Sequence, residues 1–228
     1  MIKVFVFIKK LPHLTDEQFH AHWRHPHGTL TLRMPQLLGY VQNHGIGSRP
    51  TLPGLPSTPY LGVPVIQLAS IADLGAMAAD PLYKPLHDDA LLLYDQQDVV
   101  WLVTNPQPSA RSPALPGGPI INAMLLLRRA SNRPAEQFQR DIRELSAALP
   151  TAAGNGCESR LSLPDPAFYA GTDKPRFDAL IEMRFAQIDS FEKGWSSPAT
   201  QELLSTAQRS LLDSSQTFGF LAQEERFI

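Results

Sequence analysis

The strongest constraint on this chain is that it repeats itself. Asp16-Glu17-Gln18-Phe19 and Ala135-Glu136-Gln137-Phe138 match at an offset of 119 residues, and Arg24 and Arg143 keep that offset. Farther along, the stretch Val65 to Leu74 parallels Glu182 to Phe191 at an offset of 117, which Pro81 and Pro198 share. A single repetition over so long a period points to two copies of one architecture rather than to a solenoid.

Each copy has the same predicted element order. Lys3 to Lys9 is a β-branched and aromatic run that predicts a strand, and Thr15 is placed to cap a following helix. Phe19 and Trp23, four apart, share the helical face that packs on the sheet. Pro26 and Gly28 interrupt that helix, and Thr29 to Leu38 is expected to resume it before Gly39. Then come strands at Tyr40 to Ile46 and Leu61 to Ala69, a helix from near Ala72, and a strand at Asp98 to Thr104. The second copy gives a strand at Ile120 to Arg128, a helix at Ala135 to Ala148, and strands at Glu158 to Leu163 and Phe177 to Ala186. A helix at Asp189 to Leu212 and a strand at Thr217 to Glu224 complete it.

This order, βαββαβ, is the split βαβ or ferredoxin-like arrangement. The expected fold class is therefore α+β, with two tandem ferredoxin-like half-domains at 1–105 and 120–228 and a proline- and serine-rich linker at 106–119. The first strands, Val4 to Ile8 and Ala123 to Leu127, are continuously apolar, so both faces should be buried. One face would meet its own helices and the other the sheet of the opposite half, closing an intramolecular α+β barrel.

Charge excludes several partners. The 20 basic and 22 acidic residues leave a net charge of −2, with no run of five like charges, so nucleic acid and anionic membrane are not expected. No stretch approaches the roughly 20 apolar residues that span a bilayer. The single cysteine, Cys157, cannot form an internal disulfide or complete a Cys-based zinc site, which fits a reducing compartment. The opening apolar run is too short for a signal peptide, so a cytoplasmic protein is expected, working as a monomer or as a homodimer of two-unit chains on a small molecule.

The stretch Phe19-His20-Ala21-His22-Trp23-Arg24-His25-Pro26-His27-Gly28, followed by Leu38-Gly39-Tyr40-Val41-Gln42-Asn43-His44, resembles the EthD family of the dimeric α+β barrel superfamily. The detailed likeness covers about residues 3 to 45. The second half looks like a degenerate copy, with Ile142 where Trp23 would map and no histidine after His87. The superfamily includes lactone isomerases, polyketide cyclases, dehydratases, cofactor-free monooxygenases and haem-degrading enzymes, so the resemblance implies a small-molecule site without fixing its chemistry.

All seven histidines lie in the first 87 residues, and imidazole is the side chain best matched to proton transfer near neutral pH. His27, beside Gly28 at the helix interruption, is the first candidate; its structural alternative is a helix-end histidine meeting open carbonyls. Tyr40, Gln42 and His44 occupy alternate strand positions on one sheet face and must find hydrogen-bond partners in a substrate, in water or in one another. His27 and His44 are expected as acid and base, with Tyr40 or Tyr60 bonding a carbonyl oxygen. Trp23 reads mainly as core and can also wall a pocket, while Arg24, recurring as Arg143, reads as a shared structural ion pair. His22, Gln42, Tyr60, Tyr83, His87 and Asp88 are the remaining candidates for the substrate cleft, with Asp88 available to orient an imidazole. The loop Gly47 to Pro59, rich in proline, is a candidate lid.

No metal site is expected, because His20 and His22 diverge by about 200° on a helix of 3.6 residues per turn, and no cofactor is expected. The leading expectation is a cofactor-independent lyase, isomerase or cyclase acting on a small apolar carbonyl compound such as a lactone or a polyketide-like aromatic. The rivals are a non-catalytic ligand-binding or stress-response protein, and a haem-binding protein or cofactor-free monooxygenase.

Overall fold

The computed structural model describes residues 1–47, 51–107, 119–154, 156–171 and 174–228. The first half runs β1 (Ile2–Phe7), α1 (Asp16–His22), α2 (Gly28–Thr31), β2 (Gly39–Gly45), β3 (Gly62–Leu68), α3 (Ile71–Ala79), α4 (Tyr83–Ala90) and β4 (Val100–Pro106). The second runs β5 (Ile120–Leu127), α5 (Ala135–Ala153), β6 (Cys157–Pro164), β7 (Ala179–Phe185), α6 (Ile188–Trp195), α7 (Pro198–Ser210) and β8 (Phe218–Arg226). Most of the expected linker lies outside the described residues, as do residues 48–50 of the proline-rich loop.

Local chemistry explains where the helices start and stop. Thr15 caps α1 through a reciprocal pair: its hydroxyl accepts from the Gln18 amide at 3.1 Å, and the Gln18 side chain accepts from the Thr15 amide at 2.9 Å. Pro26 pushes the preceding His25 into an extended conformation, φ −145° and ψ 127°, so the chain opens into a π-helical turn over Trp23–His27. The helix expected over Thr29 to Leu38 is cut to the single turn of α2, because Pro35 has no amide hydrogen and disfavours helix at Met34. In the second half the single helix expected over Asp189 to Leu212 is two: Ser197 caps and Pro198 starts α7. Its counterpart Pro81 lies in the break between α3 and α4.

Eight strands close an antiparallel barrel in the order β1-β3-β2-β8-β5-β7-β6-β4. The two sets of four do not stack as separate sheets, as the continuous apolar strands had suggested. They join edge to edge, with Val41 of β2 opposite Arg226 of β8 and Thr104 of β4 opposite Pro164 of β6. Among the described residues closure leaves no strand edge open, and the alternating side chains divide the core into three bodies. Phe5, Phe7, Val63, Val65, Leu102, Met124, Leu126, Leu180 and Phe220 fill the barrel interior. The outward faces carry separate cores beneath the helices of the first and second halves.

The other end of the interior is charged. By strand alternation Lys3, Asn43, Asn122, Glu182, Arg184 and Glu224 share the inward face, and all are buried. Lys3 is ion-paired with Glu182, Asn122 donates to Asn43 Oδ1 at 2.9 Å and to Glu182 Oε1 at 3.2 Å, and Arg184 holds Glu224 at 2.8 Å and Glu158 at 2.6 Å.

The proline-rich loop packs on the second half and contributes none of its described residues to the cavity that His27 lines. Leu52, 1% exposed, inserts into the core of the second half, where Gly219 leaves room for it: a Cβ there would stand 2.6 Å from Leu52 Cβ. Trp195 Nε1 donates to Pro53 O at 3.2 Å. The loop after β6 returns the exchange, since the Val103 amide donates to the Tyr169 hydroxyl at 3.2 Å and Asp165 N to Val103 O at 2.9 Å. Leu52→Ala is therefore expected to destabilise the chain by about 2–5 kcal/mol, as large-to-small core changes do. Urea denaturation followed by tryptophan fluorescence measures this; unchanged stability would return the loop to the role of a cover.

Candidate active site

The π-helical turn and α4 together build the centre of the site. Opening the turn places His27, 6% exposed, against Asp89 near the end of α4. His27 Nδ1 lies 2.9 Å from Asp89 Oδ2, and His22 Nε2 lies 2.9 Å from Asp89 Oδ1. An ionised carboxylate only accepts, so both imidazoles donate to it. His27 is thereby held with its proton on Nδ1, leaving the Nε2 lone pair available. Burial lowers the His27 pKa below its ordinary value of 6.5, and the Asp89 hydrogen bond and charge pull against that shift.

His27 stands on the wall of a cavity of about 70 Å³ between the first-half sheet and helices α3 and α4. Val6, Ile66, Met77, Leu86, Ala90 and Val99 supply its apolar lining, and Tyr40, Tyr83, His87, Tyr94 and Gln96 its polar groups. A small set of polar groups in an apolar hollow is the usual form of a small-molecule site. Burial pushes the Tyr94 phenol up to about 12, with a nearby Gln96 amide acting against it, and burial also raises Tyr40. Both hydroxyls stay protonated at neutral pH and can donate.

The outward face of β2 turns out to satisfy itself. Gln42 Nε2 donates to Trp23 O and to the Tyr40 hydroxyl, each at 2.7 Å. Because the Trp23 carbonyl can only accept, the amide orientation is fixed and Gln42 Oε1 must accept from His44 Nε2 at 2.9 Å. His44 Nδ1 is then a lone pair, and His20 Nδ1 donates to it at 2.9 Å. Burial first, then the charges of His20 and Arg24, push the His44 pKa down to about 3. His44 is thus a neutral link in a chain, both nitrogens engaged, and it is not on the cavity wall where the acid–base pairing with His27 would need it.

Other expected residues divide in the same way. The structure brings His27, Tyr40, Tyr83 and His87 to one cavity, with the rings of Tyr83 and His87 6.0 Å apart. Trp23 is fully buried, stacked on Phe19 at 5.5 Å, and a Cβ on Gly62 would stand 2.7 Å from its ring. Tyr60 packs on Phe7 in the barrel interior, away from the cavity, at 5.4 Å between ring centroids. Asp88 faces solvent in an ion pair with Lys84 at 2.6 Å. Asp89, its neighbour, takes the orienting position; it lies three residues after the buried Leu86, a helical spacing that marks it as the inward one. Arg24 holds Glu225 of β8 at 2.5 Å, whereas Arg143 donates to Gln139 O at 3.0 Å and Gln107 at 3.3 Å, so the two arginines do not share an ion pair. Burial pushes the Cys157 thiol up to about 12, which keeps it protonated and unreactive.

The second half also reaches the site. Phe227, just after β8, packs its ring 5.2 Å from that of Tyr40, and Glu225 lies 3.7 Å from His44. Among the described residues, no group of three or more His, Cys, Asp or Glu side chains could hold a metal ion, and no helix is long and apolar enough to cross a membrane.

Comparison with known proteins agrees with this fold. An anthrone oxidase-like protein superposes with a TM-score of 0.65 at 11% identity, over 99% of this chain and 92% of its own. A protein of Fusobacterium nucleatum subsp. nucleatum, named as a candidate monooxygenase, gives 0.62 at 10% identity over 99% and 92%. A mutant chlorite dismutase from Candidatus Nitrospira defluvii gives 0.50 at 10% identity over 98% and 90%. At these identities the likeness speaks for the fold alone. Among curated proteins none matches the sequence. The family model described as EthD domain matches residues 11–97, the segment that carries His22, His27, Tyr40, Asp89, Tyr94 and Gln96, so the first half of the chain is similar to the EthD domain.

Proposed function

We propose that this chain is a cofactor-independent acid–base enzyme, a lyase, isomerase or cyclase, acting on a small, largely apolar carbonyl compound. The observation that carries the reading is the His27–Asp89 pair on the wall of an apolar cavity. With Nδ1–H donated to Asp89, His27 Nε2 would remove a proton from the carbon next to the carbonyl, while a tyrosine hydroxyl bonds the oxygen as it gains negative charge. Return of that proton to another carbon gives isomerisation, and loss of a leaving group gives elimination. In this reading residues 1–105 are the catalytic unit, 106–119 the joint, and 120–228 a built-in partner that closes the barrel. The protein would work in the cytoplasm as a monomer or homodimer of such chains.

The apolar walls of the cavity, with a few polar groups among them, suit a small, largely apolar carbonyl compound such as a lactone or a polyketide-like aromatic. Cofactor-free oxygenation shares the proton-abstraction step and is a second reading, supported by the names of two structural neighbours and by the same His27 base; there dioxygen would add to the carbanion.

Solvent exchange tests the proposal. Small lactones and cyclic ketones incubated in deuterium oxide should exchange the hydrogens next to the carbonyl with the wild-type protein, and not with His27→Ala. Saturable binding without exchange by the wild type would instead make this a ligand-binding protein.

A further inference from the structure

We propose that Tyr94 and Gln96 form the subsite that binds the substrate's oxygen, which deepens the acid–base reading above and rests on it. Tyr40 is poorly placed for that task, since Thr31 stands beside its hydroxyl to take its proton, the Thr31 hydroxyl itself donating to His27 O. Tyr94 and Gln96, by contrast, reach the cavity from the segment joining α4 to β4, opposite the turn that carries His27. The Tyr94 hydroxyl has the Gln96 amide beside it. Gln96 Nε2 is shielded from solvent yet has no hydrogen-bond partner among the described residues.

A buried amide donor left unmade is destabilising and calls for an acceptor. The Tyr94 oxygen beside it can take one N–H, and a small rotation about the soft terminal torsion of glutamine turns the other into the hollow. The group that completes it must present a lone pair and fit beside apolar walls. A carbonyl oxygen of a ketone, ester or lactone meets both conditions. The rings of Tyr94 and His27 meet in a T-shaped contact, 6.3 Å between centroids and 77° between planes, so an oxygen held by Tyr94 and Gln96 would lie close to the base.

The probe is cyclopentanone carrying carbon-13 at its carbonyl, added to nitrogen-15-labelled protein whose Gln96 side-chain signals are identified by their loss in Gln96→Leu. We expect the Gln96 amide signals and the ketone carbon both to move downfield and saturate together. Affinity should fall about 3- to 10-fold in Gln96→Leu, the fold-change of one lost neutral hydrogen bond, and further in the isosteric Gln96→Glu, where a carboxylate replaces the donor. Thermal melts of both variants check that the fold is kept. If signals of Ile66 and Met77 shift while the Gln96 amide stays still and Gln96→Leu binds as tightly, the subsite is wrong and the acid–base reading stands. If no cavity signal responds to the ketone, the carbonyl reading and the subsite fall together.

Discussion

Glu182→Ala is expected to destabilise the protein by about 3–5 kcal/mol, because it leaves the Lys3 ammonium buried without its counter-charge. Both side chains are buried inside the barrel. For a chain of this length that loss lowers the melting temperature by roughly 6–20 °C. Replacing both partners by apolar residues, Lys3→Met with Glu182→Leu, should recover much of it, since the desolvation of two ions disappears along with their attraction. A double variant as unstable as the single one would show that the pair is not what holds this end of the barrel. The same network gives a pH dependence. Burial alone would raise Glu182, but Lys3, by charge and hydrogen bond, and then Arg184 and Arg160 outweigh it and hold the pKa below 4.5. A carboxylate lowered on folding contributes stability that is present above its unfolded value and lost as pH falls through its folded one. The wild type should therefore lose stability below about pH 4.5 more steeply than Glu182→Gln does, as read from urea midpoints across pH 2–7.

What the sequence made legible was mostly periodic. The repeated Glu-Gln-Phe helix starts, the continuously apolar first strands and the Thr15 cap led to the right order of strands, with the helix before the last strand of each half split in two, because each depends on neighbours within a few residues. Alternation along β2 correctly put Tyr40, Gln42 and His44 on one face, yet it could not say that they bond in series to Trp23 O and His20. That outcome depends on where the π-helical turn sets its carbonyl. Asp88 and Asp89 differ only in helical phase, which the boundaries of α4 decide. Lys3 and Glu182 meet across 179 residues, a pairing that only barrel closure brings about. For the same reason the second half looked stripped of polar equipment. Its buried charges face the interior, and its Phe227 and Glu225 complete the surroundings of Tyr40 and His44.

Asp89→Asn should lower turnover by about 10² or more, within the 10²–10⁴ that a positioned acid–base group contributes. An asparagine has one accepting oxygen where Asp89 serves two donors, His22 and His27. Its amide hydrogens would oppose one imidazole N–H and favour moving the His27 proton to Nε2, the atom required as a base. A second effect separates this role from a structural one. Turnover needs neutral His27, so activity falls as pH drops through its pKa, which burial has already lowered below 6.5. Asp89 raises that pKa against burial, so removing its charge moves the acid limb of the rate profile to still lower pH while the plateau falls. Loss of plateau with an unmoved acid limb, or with a matching loss of stability, would mean that Asp89 only props the turn. A shifted limb in a variant that melts like the wild type would tie Asp89 to the protonation of His27 and make the turn at Trp23–His27 the element on which the chemistry depends.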